Sequence, residues 1–154
     1  MKRLAWMIAT VCGCGRTPVA QGTAGSLAAL AIAWPLWRFA GFGRWHFLIL
    51  AILATAPAIW AAGVVERETG SKDPGLVVAD EVVGQWIALA GAVRFNWKSW
   101  LAAFFFFRLF DVIKPPPARQ LENVPGGAGI VLDDVAAGIY AALVLFAAGW
   151  FNLY

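Results

Sequence analysis

Two pairs of adjacent carboxylates, Asp80-Glu81 and Asp133-Asp134, each follow directly on a short apolar run in this 154-residue chain. An ionised side chain within lipid costs at least about 2.5–3.5 kcal/mol at a helix centre and less near an interface. Four such carboxylates also repel one another, so we expect a cation between them. Oxygen ligands favour Mg²⁺, which binds through one or two carboxylates, several waters and phosphate oxygens.

Helix capping is a simpler role for the same two pairs. Both pairs are expected at the first turn of a helix, where the helix dipole favours negative charge. Metal binding by Asp80, Glu81, Asp133 and Asp134 and plain capping therefore both remain open.

Three charged residues end another apolar segment. Arg108 and Asp111 are three residues apart, so they share one face of a helix, and Lys114 follows at its end. Arginine offers forked donors that match phosphate, whereas lysine offers a point charge. We therefore assign Arg108 and Lys114 to phosphate binding. Asp111 would support Arg108 or act on an attacking water.

Small polar and glycine-rich segments offer further ligands. Thr23 and Ser26 lie in a Gly-Thr-Ala-Gly-Ser stretch and are candidates for phosphate binding, although a capped helix start explains them equally well. The Gly126–Gly129 stretch could present backbone N–H groups to an anion. Secondary candidates for the site are Glu68, Asp73 and Gln85.

Several familiar phosphatase chemistries lack their residues here. The chain has one histidine, His46, and its two cysteines, Cys12 and Cys14, do not head a phosphate loop. The remaining chemistry is a water activated by a metal, or a carboxylate nucleophile beside a metal.

Composition predicts that these residues are held by helices in lipid. The residues are 61% hydrophobic and 14% charged, and the mean hydropathy is +0.71, whereas soluble domains are about a quarter charged. The length predicts a single domain, residues 1–154. A net charge of +3 suits anionic lipid headgroups and does not require nucleic acid.

We predict an all-α, polytopic membrane protein of about four to five short transmembrane or re-entrant helices, with an interfacial helix at Leu4–Cys14. No segment alternates as a strand would. The shorter third and fourth spans are expected to form a buried hairpin, or else to dip into the membrane without crossing it. The five spans are Gly25–Phe42, Trp45–Val65, Val82–Val93, Trp97–Phe110 and Val135–Phe151.

An up-and-down path through these spans brings every acidic residue to one membrane face. The opposite face would carry only basic residues, namely Arg38, Arg44, Arg94 and Lys98. The acidic face also has more basic residues, which by the positive-inside rule predicts that it is cytoplasmic. The acidic residues are Glu66, Glu68, Asp73, Asp80, Glu81, Asp111, Glu122, Asp133 and Asp134.

Four blocks of this sequence resemble the phosphatidylglycerophosphatase A family of bacterial membrane enzymes. They are Gly22–Leu27, Lys72–Gln85, Phe107–Pro117 and Gly126–Gly138, in the family's order and spacing. The third and fourth blocks are specific in combination. Gln21, Ala118 and Glu122 depart from the family's usual residues and leave the loop conformations open, but none is among the four paired carboxylates.

The resemblance implies a Mg²⁺-dependent hydrolase of the bacterial inner membrane that converts phosphatidylglycerophosphate to phosphatidylglycerol and phosphate. Its partners would be the membrane lipid substrate and the bilayer, with no nucleic acid, and it could form a homo-oligomer. Alternatives are a related phosphatase for another lipid phosphate such as a polyprenyl phosphate, a CDP-alcohol phosphotransferase, or a non-enzymatic transporter or membrane subunit. The phosphotransferase signature is absent, and a transporter should place its acids nearer the bilayer midplane.

Overall fold

The computed structural model describes all 154 residues, which form seven α-helices and no β-strand. The all-α prediction is therefore confirmed. A short 3-10 turn, Cys14–Arg16, joins the first two helices. The helices are α1 (Lys2–Ala9), α2 (Gln21–Ala40), α3 (Arg44–Thr69), α4 (Ala79–Ala90), α5 (Trp97–Ile113), α6 (Ala118–Leu121) and α7 (Gly127–Trp150).

Local sequence explains where the main helices begin and end. Gly41 and Gly70 end α2 and α3 in the left-handed conformation, with φ of 70° and 69°, which glycine adopts without steric cost. The Asn96 side chain caps α5 by accepting hydrogen bonds from the backbone N–H groups of Lys98 and Ser99. Lys114 then ends α5 just before three prolines, which cannot continue a helix.

Two helices, α3 and α7, are long and apolar enough to cross a membrane. That number is smaller than the four to five membrane helices expected from the sequence. Helix α4 has 12 residues and a length of about 18 Å, whereas the hydrocarbon layer is about 30 Å thick. Helix α4 is therefore too short to cross on its own.

Helix α4 occupies the centre of the molecule and packs against α2, α3, α5 and α7. Most of its residues are buried, including the polar Asp80 and Gln85. Helix α5 differs, because one of its faces exposes Trp97, Leu101 and Phe105. The buried hairpin expected for the third and fourth spans is thus correct for α4 but wrong for the outer face of α5.

Glycines bring α4 and α7 into close contact. A Cβ added to Gly138 would lie 2.5 Å from the Gly84 carbonyl oxygen, and one added to Gly84 would lie 2.7 Å from the Asp134 carbonyl oxygen. Gly91 packs equally closely on Ala142. Small residues of this kind let the backbones of membrane helices approach one another. The α4–α7 contact thereby sets the separation of the acidic residues that these helices carry.

The start of α7 differs from the sequence prediction. The helix begins at Gly127, so Asp133 and Asp134 lie in its second turn rather than at its N-terminus. A capping role is therefore excluded for this pair, whereas Asp80 and Glu81 do lie in the first turn of α4. Gly127 packs against the backbone of α3 at Gly63. The predicted glycine-rich turn is mostly the first helical turn of α7, and the short helix α6 was not predicted.

Candidate active site

Three carboxylates from two helices converge at one end of the bundle. Asp80 and Glu81 from α4 and Asp134 from α7 each offer an oxygen, and these oxygens lie within 4.8 Å of one another. The Glu81 Oε2 and Asp134 Oδ2 atoms are buried and have no hydrogen-bond partner. Like charges at this separation repel in a low-dielectric site. A divalent cation with oxygen ligands would satisfy both the charge and the free lone pairs.

Gln85 lies one helical turn after Glu81, on the same face of α4. Its side chain is fully buried, and neither its amide oxygen nor its amide nitrogen has a hydrogen-bond partner. Unpaired buried amides are costly, so this side chain is suited to bind a ligand or water beside the carboxylates. The sequence placed Gln85 only among the secondary candidates.

Arg108 from α5 faces the carboxylates. Its Nη1 atom lies 2.5 Å from Asp111 Oδ2 and 3.9 Å from Glu81 Oε1. The Asp111 contact joins residues three apart on one helix face, as the spacing predicted. Asp111 holds the guanidinium on the side of Glu81, which leaves other guanidinium donors available for an anion.

Gly22, at the start of α2, makes room for this arrangement; the sequence placed the Gly22–Ser26 segment at the site only for its hydroxyl and N–H groups. A Cβ at this position would collide with Glu81 Oε1 and would lie 2.8 Å from Arg108 Nη1. The neighbouring Gly25 similarly lets Val78 and Glu81 approach α2. The two glycines in the Gly22–Ser26 block were the available signal, although no sequence pattern shows which partner a glycine accommodates.

Lys114 forms a second cationic centre next to the first. Its Nζ atom donates a hydrogen bond to Asp133 Oδ2 at 2.7 Å and lies 3.4 Å from Glu122 Oε1. Burial lowers the pKa of Lys114, but the hydrogen bond to Asp133 and the nearby negative charges outweigh this effect and raise the pKa above its ordinary value. Lys114 therefore stays charged at neutral pH.

Asp133 contacts Lys114 and is not among the three clustered carboxylates. The structure thus brings together three of the four carboxylates that the sequence assigned to a metal. Successive residues of a helix point in directions about 100° apart, and here that rotation turns Asp133 toward Lys114 while Asp134 joins the cluster.

The remaining sequence candidates have other surroundings. Thr23 is partly exposed on α2 beside Gly22, whereas the Ser26 hydroxyl is buried and donates to the Gly22 carbonyl. Glu68 forms an ion pair with Lys2 and accepts a hydrogen bond from the Trp6 indole N–H, away from the cluster. Asp73 borders a small cavity that Asp133 also lines.

The site therefore consists of three carboxylates that face a guanidinium at one end of an all-helical fold. The family model described as Phosphatidylglycerophosphatase A matches residues 7–149. The chain belongs to the phosphatidylglycerophosphatase A family, as its sequence blocks predicted, and is therefore an enzyme of the phosphoric monoester hydrolase class.

Three relatives align with this chain over 82–92% of their own length. A Bacteroides thetaiotaomicron protein with the provisional name phosphatidylinositol-3-phosphatase is 41% identical, over 94% of this chain and 92% of its own. The phosphatidylglycerophosphatases A of Escherichia coli K12 and Haemophilus influenzae are 34% and 37% identical, over 93% and 96% of this chain and 82% and 90% of theirs. No solved structure matches the chain.

Proposed function

We propose that this chain is a Mg²⁺-dependent phosphatase that hydrolyses phosphatidylglycerophosphate to phosphatidylglycerol and phosphate, as a step of phospholipid biosynthesis. The observation that carries the proposal is the Asp80–Glu81–Asp134 cluster opposite Arg108, in a chain of this family. A phosphate monoester needs cations for its oxygens, and the site supplies one directly and the ligands for another.

Asp80, Glu81 and Asp134 would hold the Mg²⁺ ion, and the unpartnered oxygens of Glu81 and Asp134 fit that role. When bound, the ion would polarise the phosphoryl group and activate water for attack. This set replaces the four-residue set expected from the sequence, because Asp133 contacts Lys114 instead.

The other side chains would bind and orient the substrate. Arg108 would bind two phosphate oxygens through its fork, with Asp111 keeping the guanidinium in place. Lys114, held by Asp133, would provide a further positive charge, and Thr23 at the start of α2 would offer a hydroxyl. In hydrolysis the bond between phosphorus and the lipid oxygen breaks, water gives its hydroxyl group to phosphorus, and a proton goes to the lipid oxygen.

A second substrate class is favoured by one finding. The Bacteroides relative, 41% identical to this chain, has a name that indicates a phosphate on an inositol lipid. The same cationic and carboxylate groups would serve that phosphate, because all of them address the phosphoryl group and none addresses the alcohol. A comparison of kcat/KM for the two lipid phosphates therefore decides between the two headgroups.

The test is phosphate release by purified protein in detergent–lipid micelles. Phosphatidylglycerophosphate, phosphatidylinositol 3-phosphate and a polyprenyl phosphate are compared at equal mole fraction, with Mg²⁺ and with excess chelator. We expect phosphatidylglycerophosphate to give the highest kcat/KM and the chelator to remove activity. A higher kcat/KM for either other lipid would reassign the substrate, and activity that persists in the chelator would contradict the Mg²⁺ role.

The proposed location is the bacterial inner membrane, with the site on the cytoplasmic face. Support comes from the two helices, α3 and α7, that are long and apolar enough to span a membrane. The ends of α3 and α5 and the start of α4 bring Glu66, Asp111 and Asp80 to one end of the bundle. The same end carries more basic residues than the opposite end, and the positive-inside rule associates such an excess with the cytoplasmic side.

A further inference from the structure

An apolar groove of about 600 Å³ runs along the outside of the molecule between α2 and α5. Leu27, Leu30 and Trp34 line it from α2, and Trp97, Leu101 and Phe104 line it from α5. Eight of its nine lining residues are hydrophobic. Leu27 and Leu101 are 52% and 60% exposed, so the structure leaves much of the groove uncovered by protein.

The groove begins where the candidate active site ends. Phe104 lies one helical turn before Arg108 on the same face of α5, and Leu27 lies one turn after Thr23 on α2. At the level of Arg108 the two helices meet through Gly22. The same pair of helices therefore carries the proposed phosphate-binding groups at one end and the apolar groove below them.

The depth of the groove matches one leaflet of a bilayer. Arg108 and Trp97 are separated along α5 by a rise of about 16 Å, at 1.5 Å per residue. Half of a hydrocarbon layer about 30 Å thick is about 15 Å. Toward the far end, Trp37 and Trp100 line the groove, and their rings pack with that of Phe95 with centroids 5.7–6.1 Å apart.

We propose that the groove between α2 and α5 holds an acyl chain of the lipid phosphate substrate while Arg108 binds its phosphate. This inference rests on the proposed function and adds how the lipid is bound. The chain would run from the polar site toward the aromatic cluster and would cover apolar side chains that the fold leaves exposed. Burial of methylene groups would strengthen binding of long-chain substrates.

A second apolar groove, of about 330 Å³, offers a matched comparison. It is lined by α1, α3 and one face of α4, and Ile32 contributes to it from α2. No charged residue lines this second groove, and α5, which carries Arg108, does not contribute to it. It is therefore separate from the proposed phosphate-binding groups.

The experiment fills each groove with tryptophan in the full-length protein. Leu27→Trp and Leu101→Trp fill the α2–α5 groove, whereas Ile32→Trp fills the second groove. All three positions are 40–60% exposed, so a larger side chain can be accommodated. Each variant is assayed on long-chain phosphatidylglycerophosphate and on its water-soluble headgroup without acyl chains.

We expect both groove variants to lose about tenfold or more in kcat/KM on the long-chain lipid, mainly through KM, since tenfold corresponds to the burial of about two methylene groups. Turnover of the headgroup should not change, and Ile32→Trp should match the wild type on both. Equal losses on both substrates, or a long-chain loss confined to Ile32→Trp, would overturn the inference.

A direct readout separates this inference from the proposed function. Wild-type protein is photo-crosslinked to phosphatidylglycerol with a photoactivatable acyl chain, and the labelled peptides are identified by mass spectrometry. We expect label in residues 27–37 and 97–104. Label in residues 4–12 and 54–58 instead would overturn the groove assignment even if phosphatidylglycerophosphate is hydrolysed. Failure to hydrolyse any lipid phosphate, with label still in the α2–α5 groove, would overturn only the proposed function.

Discussion

The clearest prediction for single substitutions concerns the three clustered carboxylates. Replacing Asp80 or Asp134 with Asn, or Glu81 with Gln, removes a proposed Mg²⁺ ligand while keeping the volume of the side chain. Because even outer-shell changes cost about 10–100-fold, we expect Mg²⁺-dependent phosphate release to fall by at least about 100-fold. Membrane yield should stay normal, since the change relieves repulsion between carboxylates.

The measurement is initial rate across a Mg²⁺ titration, with membrane yield determined for each variant. Asp133→Asn is the matched comparison, because this carboxylate lies on the same helix but contacts Lys114. We expect it to alter KM, with the Mg²⁺ dependence kept. Normal rates for Asp80→Asn and Asp134→Asn at ordinary Mg²⁺ would show that the ion binds elsewhere.

Arg108 provides a second test, of donor geometry as opposed to charge. Arg108→Lys keeps the positive charge but loses the fork and the contact that Asp111 makes with it at 2.5 Å. We expect kcat/KM to fall by about 10–100-fold, the effect of one or two charge-assisted hydrogen bonds. Full activity in this variant, measured by phosphate release, would rule out forked binding of phosphate.

The substitution Gly22→Ala tests whether activity depends on the space that Gly22 leaves for Glu81 and Arg108. An added Cβ would displace both side chains, and displacements near 1 Å at a reacting centre can cost about 100-fold in rate. We therefore expect Gly22→Ala to fold and to lose most of its activity. Gly43→Ala is the control, because a Cβ there meets nothing closer than 4.0 Å. Equal activity of both variants would contradict the role of Gly22.

Among the helices, the contact between α4 and α7 decides whether the site can form. Asp134, Gly138 and Ala142 recur every four residues on one face of α7, and Gly138 packs directly on Gly84. Gly138→Ala should overpack this contact, which typically costs about 1–3 kcal/mol, and should separate Asp134 from Asp80. We expect a lower thermal unfolding midpoint and a weaker apparent affinity for Mg²⁺.

The control for this substitution is Ala148→Gly, which removes a methyl group from the same helix three turns further on and far from the carboxylates. The unfolding midpoint is followed in detergent, and the affinity is taken from the Mg²⁺ dependence of phosphate release. If Gly138→Ala keeps both wild-type values, the close approach of α4 and α7 is not what positions Asp134.

Much of the helix arrangement followed from the sequence, because apolar runs bounded by proline, glycine and charged residues can form few structures other than helices. The start of α7 could not be placed, since Gly127 and Gly129 suggest a turn when read alone. Their helical state depends on packing against α3, a contact distant in sequence. The three-residue spacing of Arg108 and Asp111 predicted their contact, whereas the pairing of Asp133 with Lys114 depends on how α7 is rotated.

For the whole molecule, the distribution of charge gives a prediction about orientation. Asp73 lies at the end that carries all the acidic residues, whereas Arg44 begins α3 at the opposite end. With Cys12 and Cys14 replaced by serine, Asp73→Cys should be labelled by an impermeant thiol reagent only after the cells are opened. Arg44→Cys should be labelled in cells whose outer membrane alone is permeabilised. Labelling of position 73 from the periplasm would reverse the proposed orientation.

The order in which the helices occur along the chain has a consequence for biogenesis. Helix α4 carries Asp80 and Glu81 but is too short to cross a membrane on its own, and it is enclosed by helices made before and after it. Asp134 lies on α7, which is synthesised after α4 and α5. The three carboxylates therefore cannot come together until α7 has been synthesised and has packed against α4.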